Sequence, residues 1–93
     1  MRRIERTTQF RRDYKREQKG KYKTYLGTTL VAAIEYLLVD KPLPEKYCDH
    51  ALTGQWRDFR DCHIRPDLLL IYEKPKIDIL RLIRLGSHSE LGF

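Results

Sequence analysis

Along the 93-residue chain the spacing of apolar positions changes once, from a helical rhythm to an alternating one. Arg2 to Arg6, RRIER, alternates weakly and predicts a short first strand. From Thr8, a candidate N-cap, QFRRDYKREQK sets Phe10 and Tyr14 four positions apart amid charge. That predicts a short basic helix stopped at Gly20. Tyr22, Leu26, Leu30, Ala33, Ile34, Leu37 and Leu38 then keep the spacing of an amphipathic helix. It should end near Val39, because Pro42 and Pro44 forbid continuation. Together the two segments predict a helical hairpin.

Beyond DKPLPE the period becomes two. Phe59 to Arg65 alternates, with Cys62 and Ile64 on one side and Phe59, Asp61, His63 and Arg65 on the other. Pro66–Asp67 is a turn signal, and LLLIYE, Leu68 to Glu73, is apolar enough for a central strand. A second turn at Pro75–Lys76 leads to the strand IDILRLIRL, closed by Gly86. The expected class is α+β: an N-terminal strand and a helical hairpin packed on one face of an antiparallel sheet, in a single domain spanning residues 1–93.

Composition adds little to the fold but something to function. At 41% hydrophobic and 34% charged residues, the chain reads as ordinary globular protein. No apolar run nears the roughly 20 residues that cross a bilayer. MRRIERTT has no apolar stretch behind its arginines, so a cytoplasmic protein is expected, with Cys48 and Cys62 as reduced thiols. The charge is lopsided. Residues 1–25 carry ten Lys/Arg against Glu5, Asp13 and Glu17, a net of +7; the other 68 residues carry nine basic and ten acidic groups, a net of −1. Such a concentrated positive field points to a polyanionic or acidic partner, with Arg11, Arg12, Lys15, Arg16 and Lys19 as its contacts.

Candidate chemistry gathers between Tyr47 and Asp67, where two of the three histidines stand among four aspartates, three arginines and the one tryptophan. Asp61 and His63, two apart on a strand, project on the same side, and Asp67 follows at the turn. Trp56 is either core or a stacking platform for a base. Arg84 falls on the strand side of Leu80 and Leu82, and His88 follows the Gly86–Ser87 bend. A zinc site built on three imidazoles is one chemistry open to these residues, although the spacing 50, 63, 67 and 88 matches no local metal pattern. The other is metal-free cleavage of RNA, which carries its own nucleophile in the 2′-hydroxyl. Such an enzyme needs a base, an acid and a cation at the phosphate, roles that suit histidine and arginine.

DHALTGQWRDFRDCHIRPDLLLIY followed by LRLIRLGSHSEL resembles the signature of the YafQ-type toxins, a branch of the RelE/ParE superfamily of bacterial toxin–antitoxin systems. The resemblance covers Tyr47 to Leu91, and the preceding segments share the family's order and lengths. It implies the RelE-like fold, a ribosome-dependent mRNA endonuclease acting in the decoding site at 16S rRNA, and a cognate antitoxin. It places His50, His63, Asp67 and His88 at catalytic positions and Asp61 and Arg84 at supporting ones. On chemical grounds His88 or His50 would be the base, and His63, oriented by Asp67, the acid. Arg84, with Arg60 assisting, would steady the phosphate, and Trp56 and Phe93 would touch substrate. No cofactor or metal is expected. Two departures stand out: Leu68 occupies the place of the family's common tryptophan, and Phe93 lies five residues after His88 where the family tends to have four. The rival readings are a non-enzymatic, ParE-like binder of DNA gyrase on the same scaffold, and a basic ribosome-associated structural protein.

Overall fold

The computed structural model describes residues 1–93. Strand β1 (Arg3–Arg6) leads into helix α1 (Thr8–Glu17), α2 (Lys23–Leu26) and α3 (Thr29–Leu38). A 3-10 turn at Glu45–Tyr47 precedes β2 (His50–Ala51), and a second at Gly54–Trp56 precedes β3 (Arg60–Arg65). Strands β4 (Leu68–Lys76) and β5 (Ile79–Gly86) and the short helix α4 (His88–Leu91) complete the chain.

The five strands form one sheet in the order β1-β5-β4-β3-β2. The expected meander is there: β3, β4 and β5 pair antiparallel. The sheet is mixed, however, because β1 pairs parallel to β5, from Arg3 opposite Ile79 to Arg6 opposite Leu82. Four residues of weak alternation carry no sign of a partner's direction, so sequence left this undecided.

Helix boundaries shift for local reasons. The N-cap of α1 is Thr7 rather than Thr8. Its hydroxyl accepts from the Phe10 amide at 2.9 Å and donates to the Ile83 carbonyl at 2.7 Å, so it ties helix to sheet. The long helix expected over residues 22–39 is broken at Gly27–Thr28. Thr28 adopts φ −123°, ψ −82°, outside the helical region. Gly27 and the β-branched Thr28 and Thr29 are poor helix formers, and together they let the chain bend there. The apolar face survives the break, with Leu26, Leu30, Ala33 and Leu37 all buried. Strand β4 runs through the expected turn at Pro75–Lys76, and the turn itself falls two residues later, at Ile77–Asp78. Pro75 is tolerated because the ladder to β5 is irregular between Glu73 and Lys76, where a missing N–H costs little.

Both faces of the sheet are covered, which explains the unbroken LLLIY run. Leu68, Leu70 and Tyr72 join Phe10, Leu30, Leu37, Cys62, Leu80 and Leu82 in the core beneath the helices. Leu69 and Ile71 pack on the opposite face with Leu91 of α4, flanked by Leu52, Trp56, Phe59 and Ile83. That second face carries the chemistry.

The upper half of β5 has no strand neighbour on the β1 side, because β1 ends opposite Leu82. Side chains of α1 take over the ladder. Thr7 donates to the Ile83 carbonyl, Asp13 accepts from the Leu85 amide at 3.0 Å, and Arg16 donates to the Leu85 carbonyl at 2.8 Å. Asp13 is fully buried for this purpose, and its carboxylate also receives Arg84 Nε at 2.7 Å and Arg16 at 3.0 Å. Burial pushes its pKa up. The Arg84 hydrogen bond, the Leu85 amide and the charges of Arg84 and Arg16 outweigh that, so the net shift is down and the group stays ionised.

Candidate active site

Register decides which side chains meet. Residues directly opposite on paired strands share a face. One row crosses the sheet as His50–Asp61–Ile71, and the next as His63–Leu69–Gly86. His88 follows Gly86 by two residues, at the first position of α4. The three imidazoles thus converge from β2, β3 and α4. The rings of His50 and His63 lie 6.3 Å apart by centroid, and those of His63 and His88 5.6 Å. All three are at least partly exposed at the end of the sheet.

Each outer imidazole is held through Nδ1. His88 Nδ1 lies 2.6 Å from Asp67 Oδ1, and the same oxygen accepts the His88 amide at 2.9 Å. Those two bonds and the His88 charge hold the Asp67 carboxyl below its usual range. With the Nδ1 proton donated to Asp67, Nε2 is the free nitrogen of His88. The helix that carries His88 is only four residues long, but Ser87 and Glu90 cap it reciprocally, at 3.1 and 2.9 Å. On the other side, His50 Nδ1 sits 2.8 Å from the Cys48 carbonyl and 3.1 Å from Asp61 Oδ1. The nearer carbonyl takes the proton, and Cys48 reaches that position with a left-handed backbone, φ 49°. The loop is tied down by Asp49, which accepts from the buried Tyr72 hydroxyl and from Arg60.

Asp61 is the buried acid of the group, 3% exposed, and its Oδ1 has no well-aligned hydrogen bond. Burial holds its pKa above the usual carboxylate range, and the charges of His50, His63 and His88 offset only part of that rise.

The structure therefore brings together His50, Asp61, His63, Asp67 and His88. Asp67 pairs with His88, not with His63 as expected. The turn at Pro66–Asp67 carries the carboxylate past the strand end, within reach of the α4 N-terminus. Arg84 faces α1. The bulge between Ile71 and Tyr72 lets both Leu82 and Leu85 face the helices and turns Arg84 onto Asp13. Arg60 is exposed and bonded to Asp49. Trp56 is half-buried, its ring edge-on to Phe59 at 5.8 Å and to Phe93 at 5.6 Å. The extra residue before Phe93 is absorbed by Gly92, which turns at φ 82° so that the Phe93 amide bonds to the His88 carbonyl.

Of the basic set on and beyond α1, Arg11, Arg12, Lys15 and Lys19 are exposed and make no ion pair. Arg16 differs: its guanidinium binds Asp13, Glu17, Glu90 and the Leu85 carbonyl. Sequence reasoning missed this network and the Tyr72–Asp49 anchor. The α4 cap went unread as well, although the S-x-x-E spacing of Ser87 and Glu90 is a signal that could have found it.

Comparison with known proteins places this geometry. The chain is 34% identical over 90 residues to the mRNA interferase toxin YafQ of Escherichia coli strain K12, covering 95% of this chain and 97% of that one. It superposes with a TM-score of 0.82 on the E. coli DinJ-YafQ toxin-antitoxin complex, at 36% identity, covering 97% of this chain and 96% of the other. It matches the metal-bound toxin from Helicobacter pylori with a TM-score of 0.80 and 41% identity, covering 98% and 99%. The fold is the RelE-like fold of bacterial toxins. A cluster of imidazoles and carboxylates on such a sheet, beside a basic helix, defines a small endoribonuclease toxin, and the curated E. coli relatives are named mRNA interferases. The chain belongs to the YafQ family of bacterial type II toxin–antitoxin toxins, whose model matches residues 2–92.

Proposed function

We propose that this toxin cuts messenger RNA on the ribosome by acid–base transesterification through the 2′-hydroxyl. The observation that supports it most is the arrangement of three imidazoles within 6.3 Å of their neighbours, the two outer ones fixed through Nδ1. His50 and His88 each present Nε2. One takes the 2′ proton as the oxygen attacks phosphorus, and the other protonates the departing 5′-oxygen. His63 between them donates to the phosphate as its charge builds, and the buried Asp61, 3.1 Å from His50 Nδ1, helps to place that ring. Asp67 keeps His88 in one tautomer. In this scheme Arg84, its charge matched by Asp13, is a structural residue.

The partners follow from the surface. The exposed cations Arg11, Arg12, Lys15 and Lys19 suit 16S rRNA in the decoding site. A cognate antitoxin, such as the one the E. coli relative has in the DinJ-YafQ toxin-antitoxin complex, would silence the toxin, and an acidic one would do so by occupying the basic surface. The test is cleavage of mRNA on programmed ribosomes by the wild type and by His50→Gln, His63→Gln and His88→Gln. Losses of a hundredfold or more with unchanged thermal unfolding are expected, because each group supplies roughly 10²–10⁴-fold. Cutting that survives all three would refute the mechanism. A metal-assisted route is the second reading, favoured by the metal-bound Helicobacter relative. No three His, Cys, Asp or Glu residues here form a metal-ligating cluster. Cleavage abolished by chelator and restored by metal would establish that route instead.

A further inference from the structure

Strand β2 is two residues long and covers only Arg60 and Asp61 of β3. The outer edge of β3 from Cys62 to Arg65 therefore lacks a strand neighbour, and a cavity of about 380 Å³ runs along it. His63 lines it, together with Thr29, Lys46, Cys48, Arg65 and Pro66. This size falls in the range of small-ligand sites, ~300–1,000 Å³, and has room for about one nucleotide.

Its charge is one-sided. No carboxylate lines the cavity, and neither Lys46 nor Arg65 takes part in any ion pair of the protein. Many cations of this chain are free, but only these two share a cavity with a histidine. The other cavities that hold Lys or Arg are lined by no imidazole. The two heads are also held in place. The Arg65 guanidinium lies 4.4 Å over the Tyr25 ring, and the Lys46 ammonium 5.4 Å from the Tyr47 ring. Stacking orients a guanidinium while leaving its edge free to donate.

His63 belongs both to the imidazole cluster and to the lining of this cavity, so an RNA strand bent over the imidazoles would have the edge of β3 as its continuation. We propose that the cavity is the subsite for the nucleotide adjoining the scissile linkage, its phosphate held by Lys46 and Arg65. Both are binding residues for the reaction proposed above, on which this inference rests. Neither belongs to the acid–base set.

The experiment pairs protein and substrate changes. Lys46→Gln, Arg65→Gln and the double variant are compared with wild type on programmed ribosomes. The messages carry either native linkages or one neutral methylphosphonate, placed one nucleotide to the 5′ or the 3′ side of the cut. A charge-assisted phosphate contact is worth about tenfold to a hundredfold in rate. Wild type should lose that factor with the neutral linkage on one side only. The double variant should lose a similar factor on native message and little more on the modified one. Thermal unfolding should be unchanged, since both side chains are exposed. Variants that cut native message like wild type would overturn the subsite. So would equal, additive losses from the neutral linkage in variant and wild type, which would move the two cations to an rRNA contact. A wild type that cuts no programmed ribosome overturns the nuclease reading and the subsite with it.

Discussion

Replacing Arg84 by alanine separates two roles that sequence order cannot. If Arg84 steadies the scissile phosphate, the variant should fold normally and cut poorly. The structure argues otherwise. Asp13 is fully buried, and Arg84 gives it two hydrogen bonds, at 2.7 and 3.3 Å, with a side chain only 21% exposed. Removing one partner of a buried pair typically costs about 3–5 kcal/mol. Because the Leu85 amide and Arg16 remain on Asp13, the lower end, ~3 kcal/mol, is expected. For a chain of this size, whose total stability is on the order of 5–14 kcal/mol, that is a large loss. At about 4–8 °C per kcal/mol, the thermal midpoint should fall by roughly 12–24 °C. The effect should also depend on pH. A carboxyl whose folded pKa is lowered stabilises above its ordinary range, and that contribution fades as pH falls through the folded value. The gap between wild type and variant should therefore narrow below about pH 4. Differential scanning calorimetry across pH, with cleavage measured well below the variant's midpoint, reads both quantities. An unchanged midpoint with cleavage reduced a hundredfold or more would refute the argument and return Arg84 to the phosphate.

Other outcomes follow from the same contacts. A Cβ at Gly86 would lie 2.8 Å from Arg16 Nη2 and 3.2 Å from Glu90 Oε1. Both atoms end flexible side chains, but Arg16 is held by Asp13, Glu17, Glu90 and the Leu85 carbonyl. Gly86→Ala should therefore cost about 1 kcal/mol, the low end for overpacking, and, through Glu90 and the α4 cap, lower the cleavage rate more than it lowers ribosome binding. Tyr72→Phe removes the hydroxyl that holds Asp49 beside His50. It should lower stability by about 1–2 kcal/mol and slow cleavage at saturating ribosome, measured as kcat with KM unchanged. Reversing Arg11, Arg12, Lys15 and Lys19 to glutamate should weaken ribosome binding and flatten its salt dependence in a filter-binding titration. Reversing Arg16 alone should mainly lower the unfolding midpoint.

What the sequence made legible followed the strength of its patterns. The alternation Asp61–Cys62–His63–Ile64 put the acid and the imidazole on one face and the core residues on the other, as the sheet does. The spacing of Leu26, Leu30, Ala33 and Leu37 marked the buried helical face even across the break at Gly27, since a short kink preserves the side that faces the sheet. The direction of β1 and the roles of Asp13 and Arg16 were hidden because they depend on pairings some 70 residues apart. In sequence, Asp13 and Arg16 are two more charges on a charged helix. Asp67 was assigned to the nearer histidine in the chain, and folding gave it the farther one. A turn residue is positioned by where two strands end, and that depends on register.

The central claim is that imidazoles from three separate segments act together on RNA's own 2′-hydroxyl. The ends of the cut message test it most directly. Mass spectrometry of fragments from programmed ribosomes should show a 2′,3′-cyclic phosphate, or the 3′-phosphate formed from it, on the upstream piece and a 5′-hydroxyl on the downstream piece. A 3′-hydroxyl facing a 5′-phosphate would mean that water attacked the phosphorus, and the account would be wrong.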